Sequence, residues 1–163
     1  MSDLELIDDA LLDRVRRAAE QSPRRRTNHD FHAGPQDNPH RFLNVMLRGT
    51  YVTPHRHRDP PKSESFLVLR GEVAVFLFDD DGRVTARHDL GGAGRPFGLD
   101  LAPGVWHSLA VLGDHAVIYE VKPGPWDPAT DKEFAPWAPR EHDEARHAYL
   151  DRLLALHPPT PVV

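Results

Sequence analysis

The stretch Pro54-His55-Arg56-His57-Arg58-Asp59-Pro60-Pro61-Lys62-Ser63-Glu64 decides how this chain reads. Alternate side chains of a strand share a face, so His55 and His57 point the same way. Pro60 and Pro61 stiffen the loop from Arg58 to Ser63, because proline fixes φ. If that loop reverses the chain, Glu64 heads the next strand, sharing a face with Phe66 and Val68, and closes back on both histidines. Farther on, Pro103-Gly104 predicts a turn that delivers His107 to the same end of the strands.

The surrounding sequence supplies those strands. From Arg41 the apolar period is two, and Phe42 to Leu47 reads as a strand, with Gly49 to Thr53 leading into another. Glu64 to Leu69, Val73 to Phe78, Val84 to Leu90, Phe97 to Leu101, Trp106 to Val111 and Ala116 to Lys122 follow. Arg70-Gly71-Glu72 is a tight turn, and Asp81-Gly82 supplies the positive φ of a hairpin. Short strands between turn signals predict an all-β, single-domain sandwich or barrel.

The flanks differ. Leu4 to Gln21 predicts an amphipathic helix with Leu4, Ile7, Leu11, Leu12, Val15 and Ala19 on one face, capped by Ser2 or Asp3 and stopped by Pro23. Residues 24–40 read as an ordered loop or a pair of short edge strands. From Pro123 a proline-rich tail carries Trp126, Phe134 and Trp137, aromatics expected to pack back onto the body or onto a partner subunit, and a short helix runs from about Glu141 to Leu156. The predicted division is residues 1–40 packing on the barrel, 41–122 as the barrel, and 123–163 as an extension.

With 163 residues the chain can bury a core. It has no cysteine, which excludes disulfides, thiolate metal sites and cysteine nucleophiles. A net charge of −5 with mixed signs argues against a nucleic-acid face. The acidic N-terminus and the strand-sized apolar runs predict neither a signal peptide nor a membrane helix, hence a soluble, cytoplasmic protein.

Three imidazoles and one carboxylate, from His55, His57, Glu64 and His107, form a mixed nitrogen and oxygen donor set. It suits one divalent ion, with iron, manganese, nickel and zinc as candidates and copper and cobalt also compatible. Such a set leaves positions open for water or substrate. Arg26, His29, Arg41 and Lys62 are the candidate substrate-binding residues. Arg26 belongs to the run Arg24-Arg25-Arg26, which can meet an anion or form a solvated basic loop. Asn28, His29 and His32 lie where they can line the barrel mouth. Arg41 can reach a substrate anion or pair with an acid, and Lys62 can approach the open metal position or sit exposed. Trp106 points away from its neighbour His107 and packs.

These residues resemble known motifs. Gly49-X5-His55-X-His57-X6-Glu64-X6-Gly71 resembles the first cupin motif, with a longer spacing before Glu64, and Gly104-X2-His107 resembles the core of the second. Over roughly residues 5–142 the chain resembles the WbuC family of cupin-fold metalloproteins. The likeness rests on the histidine stretch and Leu69-Arg70-Gly71, on Pro103-Gly104-Val105-Trp106-His107, on Glu120-Val121-Lys122-Pro123-Gly124-Pro125, and on the run from Asp131 to Pro139. It implies a cupin barrel (a double-stranded β-helix or jelly roll), a bound metal and a homodimer, with some relatives encoded near polysaccharide-synthesis genes. The expected function is a metal-dependent enzyme acting on a small polar or anionic molecule such as a sugar or sugar acid. Isomerase, epimerase and dioxygenase chemistry are the candidates. The alternative is a non-catalytic metal-containing module that binds or senses a small ligand, with neither nucleic acid nor membrane as partner.

Overall fold

A computed structural model describes residues 4–157. Its strands follow the alternating pattern, and the pattern explains the layers. The elements run in the order α1 (Asp9–Gln21), β1 (Arg26–Asp30), β2 (His40–Leu47), β3 (His55–Arg56), β4 (Glu64–Arg70), β5 (Val73–Phe78), β6 (Val84–Leu90), β7 (Gly98–Leu101), β8 (Trp106–Val111), β9 (His115–Lys122), β10 (Glu133–Phe134) and α2 (Arg146–Ala155). They form two antiparallel five-stranded sheets, ordered β1-β2-β9-β4-β7 and β10-β3-β8-β5-β6. This is a cupin jelly roll: the alternation predicts the all-β barrel, and the resemblance implies its cupin form.

Three apolar clusters stack across the sheets. Between them, Met46, Phe66, Val73, Val75, Leu109, Val111 and Ile118 fill one end of the barrel. On the outer face of the first sheet, Leu43, Val45, Leu47 and Val117 receive Leu11, Leu12, Val15 and Ala19 of α1. On the outer face of the second, Ala74, Phe76, Phe78, Trp106 and Ala110 lie under Ala135, Ala138, Leu150 and Leu153 of the tail and α2. Both faces of β5 are therefore covered, which is why its sequence is a continuous apolar run rather than an alternating one. The other end of the barrel interior carries the polar residues described below.

Three boundaries differ from expectation. The first helix begins at Asp9, not Leu4, because Asp8 takes an extended backbone and its carboxylate accepts from the Leu11 amide at 2.9 Å. Leu4, Leu6 and Ile7 are left exposed, and the predicted caps Ser2 and Asp3 lie outside the described residues. The last helix begins at Arg146 rather than Glu141. Glu141 is instead drawn to Arg24 and Arg26, and the Arg140 amide donates to Asp143 at 2.7 Å in the turn that follows. The 24–40 segment contributes one edge strand, β1, paired in register from Arg26↔Met46 to Asp30↔Phe42.

The packing predicts a contrast between two phenylalanines. Phe76 is fully buried between the second sheet and the tail, whereas Phe97 is 79% exposed. Phe76→Ala should cost about 3–5 kcal/mol in denaturant unfolding, and Phe97→Ala no more than about 0.5 kcal/mol.

Candidate metal centre

The centre starts from strand pairing. His55 of β3 lies directly across from His107 of β8, and their ring centroids stand 4.5 Å apart. His57 follows two residues later on the same face. Its carbonyl accepts from Gly104 at 3.0 Å, and Gly104 makes its turn with φ +81, a conformation that favours glycine. That bond ties the turn before β8 to the end of β3. The residues between His57 and Glu64 form a compact reversal, with a bridge between Arg58 and Pro61. They absorb the extra spacing and set Glu64 at the head of β4, in the facing sheet.

His55, His57, Glu64 and His107 are all buried, and one ligand atom from each lies within 4.8 Å of the others. Nδ1 of His55 faces the Thr53 carbonyl at 3.0 Å, Nδ1 of His107 the Val105 carbonyl at 2.9 Å, and Nδ1 of His57 the Asp131 carbonyl. A carbonyl only accepts, so each Nδ1 carries the proton and each Nε2 keeps its lone pair. Nε2 of His57 and of His107 lies 3.0 Å from a Glu64 oxygen, yet neither makes a hydrogen bond. Lone pairs held face to face in a buried site call for a cation between them. Two donors each ~2.1 Å from an ion and at about a right angle stand ~3 Å apart, the separation seen here. The residues therefore fit a divalent ion and could hold one.

Electrostatics agree with that fit. Burial, helped by the Lys132 charge, holds His55 well below the usual imidazole range, so it stays neutral as a ligand must.

His55, Glu64 and His107 line a cavity of about 930 Å³, whose wall also carries Glu120, Lys122 and Lys132. Glu120 accepts from Asn44 at 2.7 Å, and burial together with the Glu64 charge pushes it up to about 7. Beside the centre, Asp131 bridges two buried lysines, Lys62 at 2.9 Å and Lys122 at 2.7 Å, and Lys122 stands 3.7 Å from Glu64.

The other candidate residues scatter. Arg26 lines the cavity but is committed to Glu141, to Thr50 Oγ1 at 3.3 Å and to the Tyr51 carbonyl at 2.9 Å. Asn28 and His32 also line it. His29 and Arg41 do not. They sit on the outer face of the first sheet, where His29 pairs with Glu5 at 3.0 Å and Arg41 donates to the Phe31 carbonyl at 3.2 Å. Strand parity explains this, since His29 pairs in register with outward Leu43, and Arg41 has the parity of Leu43. Lys62 is neither exposed nor at the open side of the centre. It donates to the Pro125 carbonyl at 2.6 Å and to Asp131. Sequence reasoning missed Glu120, Lys122, Asp131 and Lys132. For the first two a signal existed: they continue the inward parity of Ala116 and Ile118, so charges stand where a core face was due.

No curated protein matches the sequence. Solved structures match the fold. CapF from Staphylococcus aureus, a capsular polysaccharide assembling protein, is 21% identical with a TM-score of 0.57. The match covers 69% of this chain and 32% of CapF, so the chain spans about a third of that protein's length. L-ribose isomerase from Cellulomonas parahominis, seen with L-psicose, is 17% identical with a TM-score of 0.54, over 69% of this chain and 70% of that one. Protein SO0799 from Shewanella oneidensis is 13% identical with a TM-score of 0.51, over 66% and 72%. These neighbours are cupin-fold proteins. The model of a family described only as a domain of unknown function, DUF6016, matches residues 7–90, just over half of the chain, and the chain belongs to that family.

Proposed function

We propose that this protein is a metal-dependent enzyme acting on a small polyhydroxylated or anionic molecule, such as a sugar or sugar acid. The observation that carries this reading is the convergence of three imidazoles, each with Nδ1 fixed by a carbonyl, on Glu64 at a cavity of small-molecule size. His55, His57, Glu64 and His107 would hold the ion, with iron, manganese, nickel or zinc as candidates. When bound, such an ion supplies Lewis-acid polarisation of a substrate oxygen or of water.

The chain's own groups supply the rest. Glu120 titrates near neutrality, where a carboxyl both takes and returns protons effectively. Lys122, held by Asp131, keeps positive charge beside Glu64. The names of two fold neighbours, a capsular polysaccharide assembling protein and an L-ribose isomerase, belong to carbohydrate chemistry. We carry over that substrate class and neither reaction. Kinship with the WbuC family, a homodimeric state and a cytoplasmic location belong to the same proposal. No described helix is long and apolar enough to cross a membrane.

Metal analysis after dialysis should find one divalent ion per chain. His57→Ala and His107→Ala should each weaken binding by at least the roughly 100-fold that loss of a ligand's supporting partner costs. A double variant that kept stoichiometric metal would refute the site. Turnover on a panel of sugars and sugar acids should then follow metal loading. Tight ligand binding with persistent absence of turnover would favour a sensor instead.

Glu120 sets a pH dependence. Its carboxyl titrates at about 7 folded but near ~4.3 unfolded, so between these values the folded chain keeps a proton that the unfolded chain has released. Stability of the metal-free protein should therefore fall as pH rises through this window, by about 4 kcal/mol at most. Melts at about pH 5 and about pH 8 should show that slope, and Glu120→Gln should flatten it. A slope indifferent to the substitution would reject this assignment.

A further inference from the structure

We propose that Lys132 is the anion-binding group of the cavity and that it recognises the single carboxylate of a small polyhydroxy acid. This rests on the reading of the cavity as a substrate site and names the substrate class. The charges around the cavity are nearly all committed. Arg24 and Arg26 are both bound to Glu141, and Lys62 and Lys122 both to Asp131. Among the described residues, the Lys132 ammonium makes no hydrogen bond or ion pair, although an ammonium can donate three.

Its position is fixed from both sides. Asp131 is buried in its lysine bridge, and Glu133 and Phe134 form β10 against β3. Glu133 faces outward onto Arg56 at 2.8 Å, while Lys132 and Phe134 line the cavity with His55. Lys132 is exposed through the cavity, although protein atoms surround it closely. Burial, and then repulsion from Lys122, depresses its ammonium below the usual lysine range. An incoming negative charge relieves both effects.

One uncommitted cation matches one negative charge. With the ion engaged by substrate hydroxyls, a phosphate dianion would call for a second free cationic side chain, and the neighbouring arginines and lysines already have carboxylate partners. The same wall holds Glu120, which accepts from Asn44 and, among the described residues, carries no ion pair, a fitting partner for a substrate hydroxyl.

The test is calorimetric titration of the metal-loaded and the metal-stripped protein with gluconate, with its neutral counterpart sorbitol, and with sorbitol 6-phosphate. Gluconate should bind at least about tenfold more tightly than sorbitol, the size of one charge-assisted hydrogen bond. Lys132→Gln should erase that preference while leaving sorbitol affinity and metal stoichiometry unchanged, and Lys132→Arg should restore part of it. Gluconate preference that survives Lys132→Gln would overturn the proposal. So would tightest binding of the phosphate, or equal binding of gluconate and sorbitol. Preference that depends on Lys132 with no metal taken up would sink the metal reading and keep the anion site. Metal-dependent gluconate binding that ignores Lys132 would do the reverse.

Discussion

The structure turns on Asp131. Its backbone carbonyl accepts the Nδ1 proton of His57, and its carboxylate bridges Lys62 and Lys122. One residue of the tail thereby fixes the tautomer of a candidate ligand, anchors the loop that leads to Glu64, and holds a lysine from the strand facing it. The tail is thus part of the site. Neighbouring backbone contacts reinforce the closure, with Ala135 donating to the Pro54 carbonyl at 2.9 Å.

The network also explains how so many charges tolerate burial. An isolated buried ion is costly, and a pair is stable only when its remaining donors and acceptors are satisfied. Lys62 has a carboxylate and a carbonyl, and Asp131 has two lysines. Glu120 meets the same problem differently. With an amide and no cation in contact, it holds its proton to near neutrality. Charge is therefore graded across the cavity, from Glu64, held low, to Glu120, pushed up to about 7.

The barrel was legible in the sequence because alternation is local. A strand such as Phe42 to Leu47 shows its period without knowledge of its partners. The His55 and His57 pair was legible for the same reason, and turn chemistry at Pro60-Pro61 and Pro103-Gly104 pointed Glu64 and His107 toward it. Parity also settled Trp106, which lies buried against Trp137 under the guanidinium of Arg56. The same parity turns His29 and Arg41 to the outer face of the first sheet, away from the cavity. The apolar period through Leu4 and Ile7 runs past the true start of α1, which the Asp8 cap sets.

By itself the sequence determined the strand pattern, the turns and the donor residues, because each depends on the dihedral preferences and spacing of a few neighbours. Tertiary structure alone decided which face of the molecule the tail covers, that Asp131 and Lys132 reach the centre from more than sixty residues beyond Glu64, and that Glu120 sits beside the Glu64 charge. Those outcomes depend on desolvation and charge pairing between segments that meet only when the barrel closes. No local period encodes such a meeting.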